Sequence, residues 1–394
     1  MTAETDDHLV HEAVGPLLTG LESGATIAVG VNSLLVLGVV PVLLGALVDE
    51  NRLSTAGIGH IAMLELLGMG LSTAAAGAFV KPARLRAIAL ACSLALAGLN
   101  LFSAHASGLA LYPLRVAAGA VEGILLWITV SMISRTLTPE RWAGVFFAAQ
   151  TFGQLVLAVA LAITILPRFG ATGGFLALAG ASLLGAAPAF FIPDRFAPLP
   201  VAAGESGAPP LRGWLALGAT AIFVAAGGAV SVYLQPLAHE AGLGAGVART
   251  ANWVSLIAQV VGGGLAVVSA GRIKYFSVFV AVSAITLGIW WVFGHAAPGW
   301  LFIAANALAG LTAIYLAPFL VPFTIEADPS RRAALQSGAA QLLGGALGPW
   351  LASSVVSDRE VRAVLWLGAG LMLAGLAGVA GLRFTRLAPG AGEA

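Results

Sequence analysis

The chain has 394 residues, of which 59% are apolar and only 9% charged, and its mean hydropathy is +0.95. Soluble domains carry roughly 25% charged residues, so a water-soluble globular class is excluded and an integral membrane protein is expected. A net charge of +1 built from thinly scattered basic residues excludes an electrostatic nucleic-acid binder. The lone Cys92 excludes an intrachain disulfide or a cysteine-built metal site.

In chain order, the opening segment MTAETDDHLVHEAVG is polar and acidic and lacks the basic start of a cleavable signal peptide, so the first span is expected to direct insertion and to stay. Stretches of about 20 apolar residues match a hydrocarbon core about 30 Å thick. Twelve such spans are read, at 24–48, 55–79, 87–104, 108–134, 143–166, 172–192, 213–237, 251–270, 276–294, 299–323, 333–356 and 363–382. They are too long and too continuously apolar for barrel strands, which alternate over about ten residues. The expected fold class is therefore all-α integral membrane, with 12 transmembrane helices.

Orientation follows from basic residues in the connections. With the N-terminus inside, thirteen Lys and Arg fall in inner connections (Lys81, Arg84, Arg86, Arg135, Arg141, Arg195, Arg212, Arg272, Lys274, Arg331, Arg332, Arg383 and Arg386). Only Arg52, Arg168, Arg249, Arg359 and Arg362 fall outside, and Arg115 lies within a span. Both termini are expected in the cytoplasm, and the membrane is expected to be a bacterial inner (plasma) membrane.

The longest connection, IPDRFAPLPVAAGESGAPPLRG, is rich in proline, glycine and alanine and reads as a linker rather than a folded insert. It divides the chain into a tail 1–21, a six-helix bundle 22–192, the linker 193–212, a second six-helix bundle 213–384 and a tail 385–394. The halves repeat. At an offset of 191, Arg141, Ala143, Ala148, Ala149, Gln150 and Gly153 map onto Arg332, Ala334, Ala339, Ala340, Gln341 and Gly344, and Ala118-Gly119 onto Ala309-Gly310. At an offset of 194, Gly68, Gly70, Leu71, Ala76 and Gly77 map onto Gly262, Gly264, Leu265, Ala270 and Gly271. Two pseudo-symmetric six-helix bundles are expected.

Such a layout belongs to transporters whose halves rock about a central site, and over nearly its whole length the chain resembles the major facilitator superfamily. Leu111-Tyr-Pro-Leu-Arg115-Val-Ala-Ala-Gly119 looks like that family's fourth-helix motif, an arginine followed four residues later by glycine. Gly77-Ala-Phe-Val-Lys81-Pro-Ala-Arg84-Leu-Arg86 and Gly271-Arg272-Ile-Lys274 sit where the family carries its glycine-and-basic loop after helices two and eight, although the usual aspartate is missing from both. Pro41-Val-Leu-Leu-Gly45 and Glu65-Leu-Leu-Gly68-Met-Gly70 resemble drug–proton antiporters, whose fifth-helix Gly-Pro motif is absent. The resemblance implies secondary transport of a small solute by alternating access, through a cavity lined by helices one, four, seven and ten.

Three charges lie well inside the spans: Glu65 in the second, and Arg115 and Glu122 in the fourth. Charge in a membrane span is expensive and is a functional hypothesis by default. Arg115 and Glu122 are seven residues apart, about two turns, so they share one face with Ala118, Gly119 and Leu126. Glu122, with Glu65 as second candidate, is expected to carry a coupling proton. Arg115 is expected to tune it, to bind an anionic substrate, or to pack the helix. The competing expectation for the carboxyls is a fixed ion pair or hydrogen-bonded carboxyl that ties the second and fourth spans together.

Asn32, Trp127, Tyr233, Gln235, Asn306 and Tyr315, on the cavity-forming spans, are candidate substrate contacts. Gln150, Gln154, Gln259 and Gln341, on flanking spans, are candidates too, with helix-to-helix hydrogen bonding as the alternative for each amide. Tryptophans such as Trp127, Trp253, Trp290, Trp291, Trp300 and Trp350 serve more often at membrane interfaces or in packing. His60, His105, His239 and His295 lie near helix ends and are assigned no metal; no cofactor is expected. No GxxxxGK[ST], HExxH or GxSxG pattern supports an enzyme. A transporter-like sensor would carry a larger signalling region than the tails here. The expected partners are a small-molecule substrate, protons and the lipid bilayer, with the chain acting as a monomer. Export is slightly favoured; the alternative is an uptake symporter or uniporter for a small organic anion or metabolite.

Overall fold

The computed structural model describes residues 18–53, 55–197, 208–295, 297–356 and 361–387. Most of both expected tails and the middle of the linker fall outside these residues. The chain forms two compact units, Met1–Glu205 and Ser206–Ala394.

The first unit holds α1 (Gly20–Asp49), α2 (Thr55–Phe79), α3 (Leu85–Ser103), α4 (Leu111–Ile133), α5 (Pro139–Ala160) and α6 (Leu166–Leu184). The second holds α7 (Leu211–Ser231), α8 (Leu234–Glu240), α9 (Ala245–Ser269), α10 (Tyr275–Gly294), α11 (Gly299–Leu316), α12 (Leu320–Ala327), α13 (Arg332–Val355) and α14 (Ala363–Leu387). All twelve expected spans are helical, and among the described residues the extended pairing is a single bridge between Ala83 and Arg195. Phe79, Leu109, Trp300 and Trp366 are exposed apolar side chains on helices or their ends, as a lipid-facing surface requires.

Four spans are less regular than their apolar runs suggest. The fifth and sixth join through a π turn at Leu161–Ile165 and part at Gly170, whose φ of 58° lies in the left-handed region glycine favours. The seventh is interrupted at Val232 and Tyr233 before α8, which carries Pro236 near its start. The tenth tightens into a 3₁₀ turn at Ala317–Phe319, where Pro318 supplies no amide hydrogen, and resumes as α12.

Lipid tails are as apolar as leucine, so helices in a membrane associate through close packing at small residues rather than through the hydrophobic effect. In the first unit the α2–α4 crossing is of this kind. A Cβ on Gly119 would strike the Glu65 backbone, one on Gly123 the Met69 carbonyl, and one on Gly68 would sit 2.8 Å from the Val116 carbonyl oxygen. Thr73 Oγ1 adds a hydrogen bond to the Gly123 carbonyl at 2.9 Å. Helix α1 meets α4 at Gly30 and Thr129, with Thr129 Oγ1 donating to the Thr26 carbonyl at 2.8 Å. In the second unit, repeat-related glycines play the same part. Gly262 closes on the Leu311 backbone and Gly310 on Ser255, which seals the α9–α11 crossing. Gly344 and Gly348 of α13 close on the Ala221 and Ala225 carbonyls of α7. An aromatic cluster of Phe223, Tyr275, Phe279 and Phe323 fills the core behind them.

Two polar anchors tie the first unit together at its ends. At one, Arg52 donates from Nη2 to the Ala104 and Ala106 carbonyls at 2.8 and 2.7 Å and from Nη1 to Thr172 Oγ1 at 3.1 Å. Its neighbour Glu50 accepts from Arg52 at 3.1 Å and from the Ala171 amide at 2.6 Å, so it caps α6 where Gly170 breaks the helix. Arg52→Ala should release three connections at once. A loss of about 2 kcal/mol in unfolding stability is expected from its charge-assisted bonds, read by thermal unfolding in detergent. At the other end the start of the linker is an extended strap. Arg86 Nε donates to the Ile192 carbonyl at 2.7 Å and Arg135 Nε to the Ala197 carbonyl at 2.9 Å, with the Arg135 guanidinium 5.6 Å from the Phe196 ring centre.

Candidate functional site: a buried ion pair beside an unpartnered carboxyl

Helix α4 presents Arg115 and Glu122 along one stripe, and the α2–α4 glycine crossing brings Glu65 against its upper end. All three residues are 1% exposed. Arg115 donates from Nε to Glu65 Oε2 at 3.2 Å and from Nη2 to Glu65 Oε1, a two-pronged ion pair between α4 and α2. Such fork-on-fork geometry is what guanidinium and carboxylate favour. The remaining nitrogen, Nη1, donates to Asn100 Oδ1 of α3 at 2.8 Å. Asn100 Nδ2 in turn donates to Ser182 Oγ of α6 at 3.3 Å, and Ser182 donates to the Leu178 carbonyl. The Phe175 ring centre lies 5.7 Å from the guanidinium carbon. Arg115 therefore joins α2, α3, α4 and α6.

Glu122 differs. Its Oε2 is buried and has no hydrogen-bond partner. Buried polar groups are nearly always bonded, so each exception calls for an explanation. Of the alternatives open at sequence level, Glu65 takes the fixed ion pair, while Glu122 is the carboxyl left without a partner. Arg115 is bonded to Glu65 and Asn100 and lies beside Phe175 in this conformation.

The offsets of the repeat set the two units apart. Gln259 stands at the position of Glu65, Asn306 at that of Arg115 and Ala313 at that of Glu122. Gly119 packs against the Glu65 backbone, whereas Gly310 packs against Ser255, with the Gln259 side chain beside it. The second unit keeps the crossing and replaces Glu65 and Arg115 with amides and Glu122 with alanine.

Three of the expected residues donate hydrogen bonds inside their own unit. Gln154 Nε2 donates to the Leu34 carbonyl at 2.6 Å and fills the space above Gly38. Asn306 Nδ2 donates to the Ala251 carbonyl at 2.9 Å. Asn32 donates to Ser93 Oγ at 3.2 Å and lies against Gly185. An amide in lipid must find a bond, and a facing carbonyl or hydroxyl on the next helix is the nearest one. Trp127 and Trp290 are buried, whereas Trp291, Trp300 and Trp350 are exposed. Gln150 is buried with Oε1 unpartnered. Tyr233, Gln259, Tyr315 and Gln341 are half-buried and Gln235 is exposed. Asn100, Ser93 and Ser182 were not among the expected site residues. The signal for the first two was a single buried stripe on α3, Leu85, Ala89, Ser93, Leu96, Asn100 and Ser103, with three polar members.

Solved structures carry the same arrangement of helices. The human organic anion transporter MFSD10 (TETRAN) matches with a TM-score of 0.71 at 14% identity, over 91% of this chain and 99% of that one. The chain has the major facilitator fold. Two further major facilitator structures match it closely: the E. coli fucose:proton symporter FucP, with a TM-score of 0.68 at 14% identity over 92% of this chain and 97% of that one, and a bacterial homologue of the iron transporter ferroportin in an outward-facing state, at 0.68 and 12% over 92% and 99%. No protein-family profile and no curated protein sequence matches the chain. Within this fold, the three buried charges well inside the spans, Glu65, Arg115 and Glu122, fall on the second and fourth spans of the first unit.

Proposed function

We propose that the chain is a secondary active transporter that moves a small organic solute by alternating access, with protonation of Glu122 coupled to that movement. The observation that carries this reading is the unpartnered Oε2 of Glu122 beside a guanidinium already matched to Glu65. One cation serves two carboxylates. With Glu122 ionised the cluster holds an uncompensated buried charge, which costs several kcal/mol even after relaxation; a bound proton removes it. A carboxyl of this kind holds its proton while sealed and releases it when the site opens to water on one side. Glu65 is the fixed partner of Arg115, and Arg115 tunes Glu122 from two turns above.

Folds made of two helical repeats carry solute by rocking one repeat against the other around a site near mid-membrane. With no phosphate-binding loop in the sequence, the driving energy is assigned to an ion gradient. Solute contacts are assigned to Trp127, Gln150, Tyr233, Gln235, Gln259, Tyr315 and Gln341, on a monomer in a bacterial plasma membrane with both termini cytoplasmic. The antiporter-like motifs favour export, and FucP is a proton symporter of the same fold, so the sign of the flux is part of the test.

Purified protein in liposomes, under an imposed pH gradient, is challenged with drugs, aromatic acids and sugars while internal pH is followed. Wild-type protein should move protons only with its solute. Glu122→Gln should lose gradient-driven flux yet retain solute exchange at equal pH. Wild-type coupling in Glu122→Gln would remove the proposal.

A further inference from the structure

Buried oxygens without donors identify a second member of the proton site. In the first unit Asn32 Oδ1 and Glu122 Oε2 are both acceptors, both buried, and both without a partner. Antiparallel register places them at one level. Arg115 of α4 bonds Asn100 of α3, and these helices run in opposite directions. Moving seven residues along each, two turns on the same face, sets Glu122 opposite Ser93. Ser93 Oγ is the atom that accepts from Asn32 Nδ2 at 3.2 Å. The contact between Thr129 of α4 and Thr26 of α1 independently brings Asn32 within about a turn of Glu122 in height. Asn32 points between α3 and α6, since its amide lies against Ser93 and Gly185. The Arg115 end of the Glu122 stripe points the same way, towards Asn100 and Phe175.

We propose that Glu122 and Asn32 form one proton-binding site, in which the protonated carboxyl donates from Oε2 to Asn32 Oδ1. A single proton then satisfies both orphaned oxygens. Ser93 holds the amide by accepting from Nδ2, which leaves Oδ1 as the free acceptor. The proton stays covalently on Glu122, so loading adds one O–H bond and one hydrogen bond between α4 and α1, and release breaks both. Asn32 is thus a positioning residue, and protonation ties α1 to α4. The charged groups facing Glu122 are Arg115 on its own helix and Glu65 on α2. On α1, α3 and α6 the charged residues lie towards the ends, at Glu22, Asp49, Arg86 and Arg168, while Cys92 is one residue, about 100°, around α3 from Ser93.

The transport meaning of this bond rests on the function proposed above, but the bond can be tested separately. The carboxylic-acid C=O infrared band of Glu122, identified by its loss in Glu122→Gln, is followed against pH in reconstituted full-length protein. Asn32→Leu, close in shape but without an acceptor, should move the midpoint down by about one pH unit, tenfold in proton affinity. Asn32→Asp should move it up, because two carboxylates then share one proton. Ser93→Ala should move it down by less. An unchanged midpoint in Asn32→Leu, or in Asn32→Asp should the leucine variant not fold, overturns the proposal. If the midpoints shift while Glu122→Gln keeps gradient-driven flux, the bond stands and the coupling reading falls. If Glu122→Gln is uncoupled and the midpoints stay fixed, the reverse holds.

Discussion

Arg115→Leu is expected to destabilise the first unit by about 3–5 kcal/mol, because removing one partner of a buried pair leaves the other charge uncompensated. Two carboxylates, Glu65 and Glu122, would then share the α2–α4 region with no cation, and Asn100 would lose the donor that orients it. Glu65→Leu on its own strands the guanidinium in the same way. The double variant Glu65→Leu/Arg115→Leu removes both charges and should recover most of the loss, since a buried pair replaced by apolar groups of similar volume is often neutral or better. A double-mutant cycle in thermal unfolding measures the coupling, expected to be large and favourable for a contact this close. Equal losses in the two single variants and their sum in the double would show that the pair contributes nothing. Transport separates strut from tuner: if Arg115 tunes Glu122, the stable double variant still carries solute, but its dependence on pH is shifted from wild type.

The second large effect is steric. A valine at Gly119 would place Cβ against the Glu65 carbonyl, with the Glu65 carbonyl carbon and Cα at 3.0 and 3.2 Å. These are backbone atoms in the middle of a helix, so no rotamer change can relieve the clash and α2 must move away from α4. Overpacking costs typically 1–3 kcal/mol and more where nothing yields. Here the displacement also pulls Glu65 off Arg115, so Gly119→Val should approach the loss seen in Arg115→Leu. Gly310→Val, at the repeat-related position against Ser255, should cost a similar steric amount without the ion-pair loss. Gly98→Ala is the control. Nothing lies within 4 Å of a Cβ there, and relief of the glycine penalty in a helix, up to about 1 kcal/mol, should leave it neutral or slightly stabilised. If Gly119→Val unfolded at the wild-type temperature, the α2–α4 contact would not be as close as described.

The repeat connects these two expectations. Its offsets were readable because glycines that meet a neighbouring backbone tolerate no side chain, so Gly68 and Gly119 recur as Gly262 and Gly310 at both crossings. The charges do not recur: Glu65 and Arg115 are matched by Gln259 and Asn306. Helix packing fixes the first pattern in both units, whereas the Glu65–Arg115 pair has no charged counterpart at the matching positions of the second.

Hydropathy alone determined the class of protein, the twelve spans and the three charges well inside them, because transfer of backbone and side chains into hydrocarbon follows composition and length and needs no knowledge of neighbours. The same information could not separate Glu65 from Glu122. Both are carboxyls at mid-span, and only the α2–α4 crossing decides that the guanidinium faces one and leaves the other unpartnered. Nor could it assign the amides. Whether Asn32, Gln154 and Asn306 turn towards a passage or towards the next helix depends on helix rotation, which small residues on partner helices set through contacts remote in sequence. Asn100 became legible only once α3 lay beside α4, since its role is a bond to a residue on another helix. Length and apolarity belong to a segment, but the partner of a polar atom belongs to the packing.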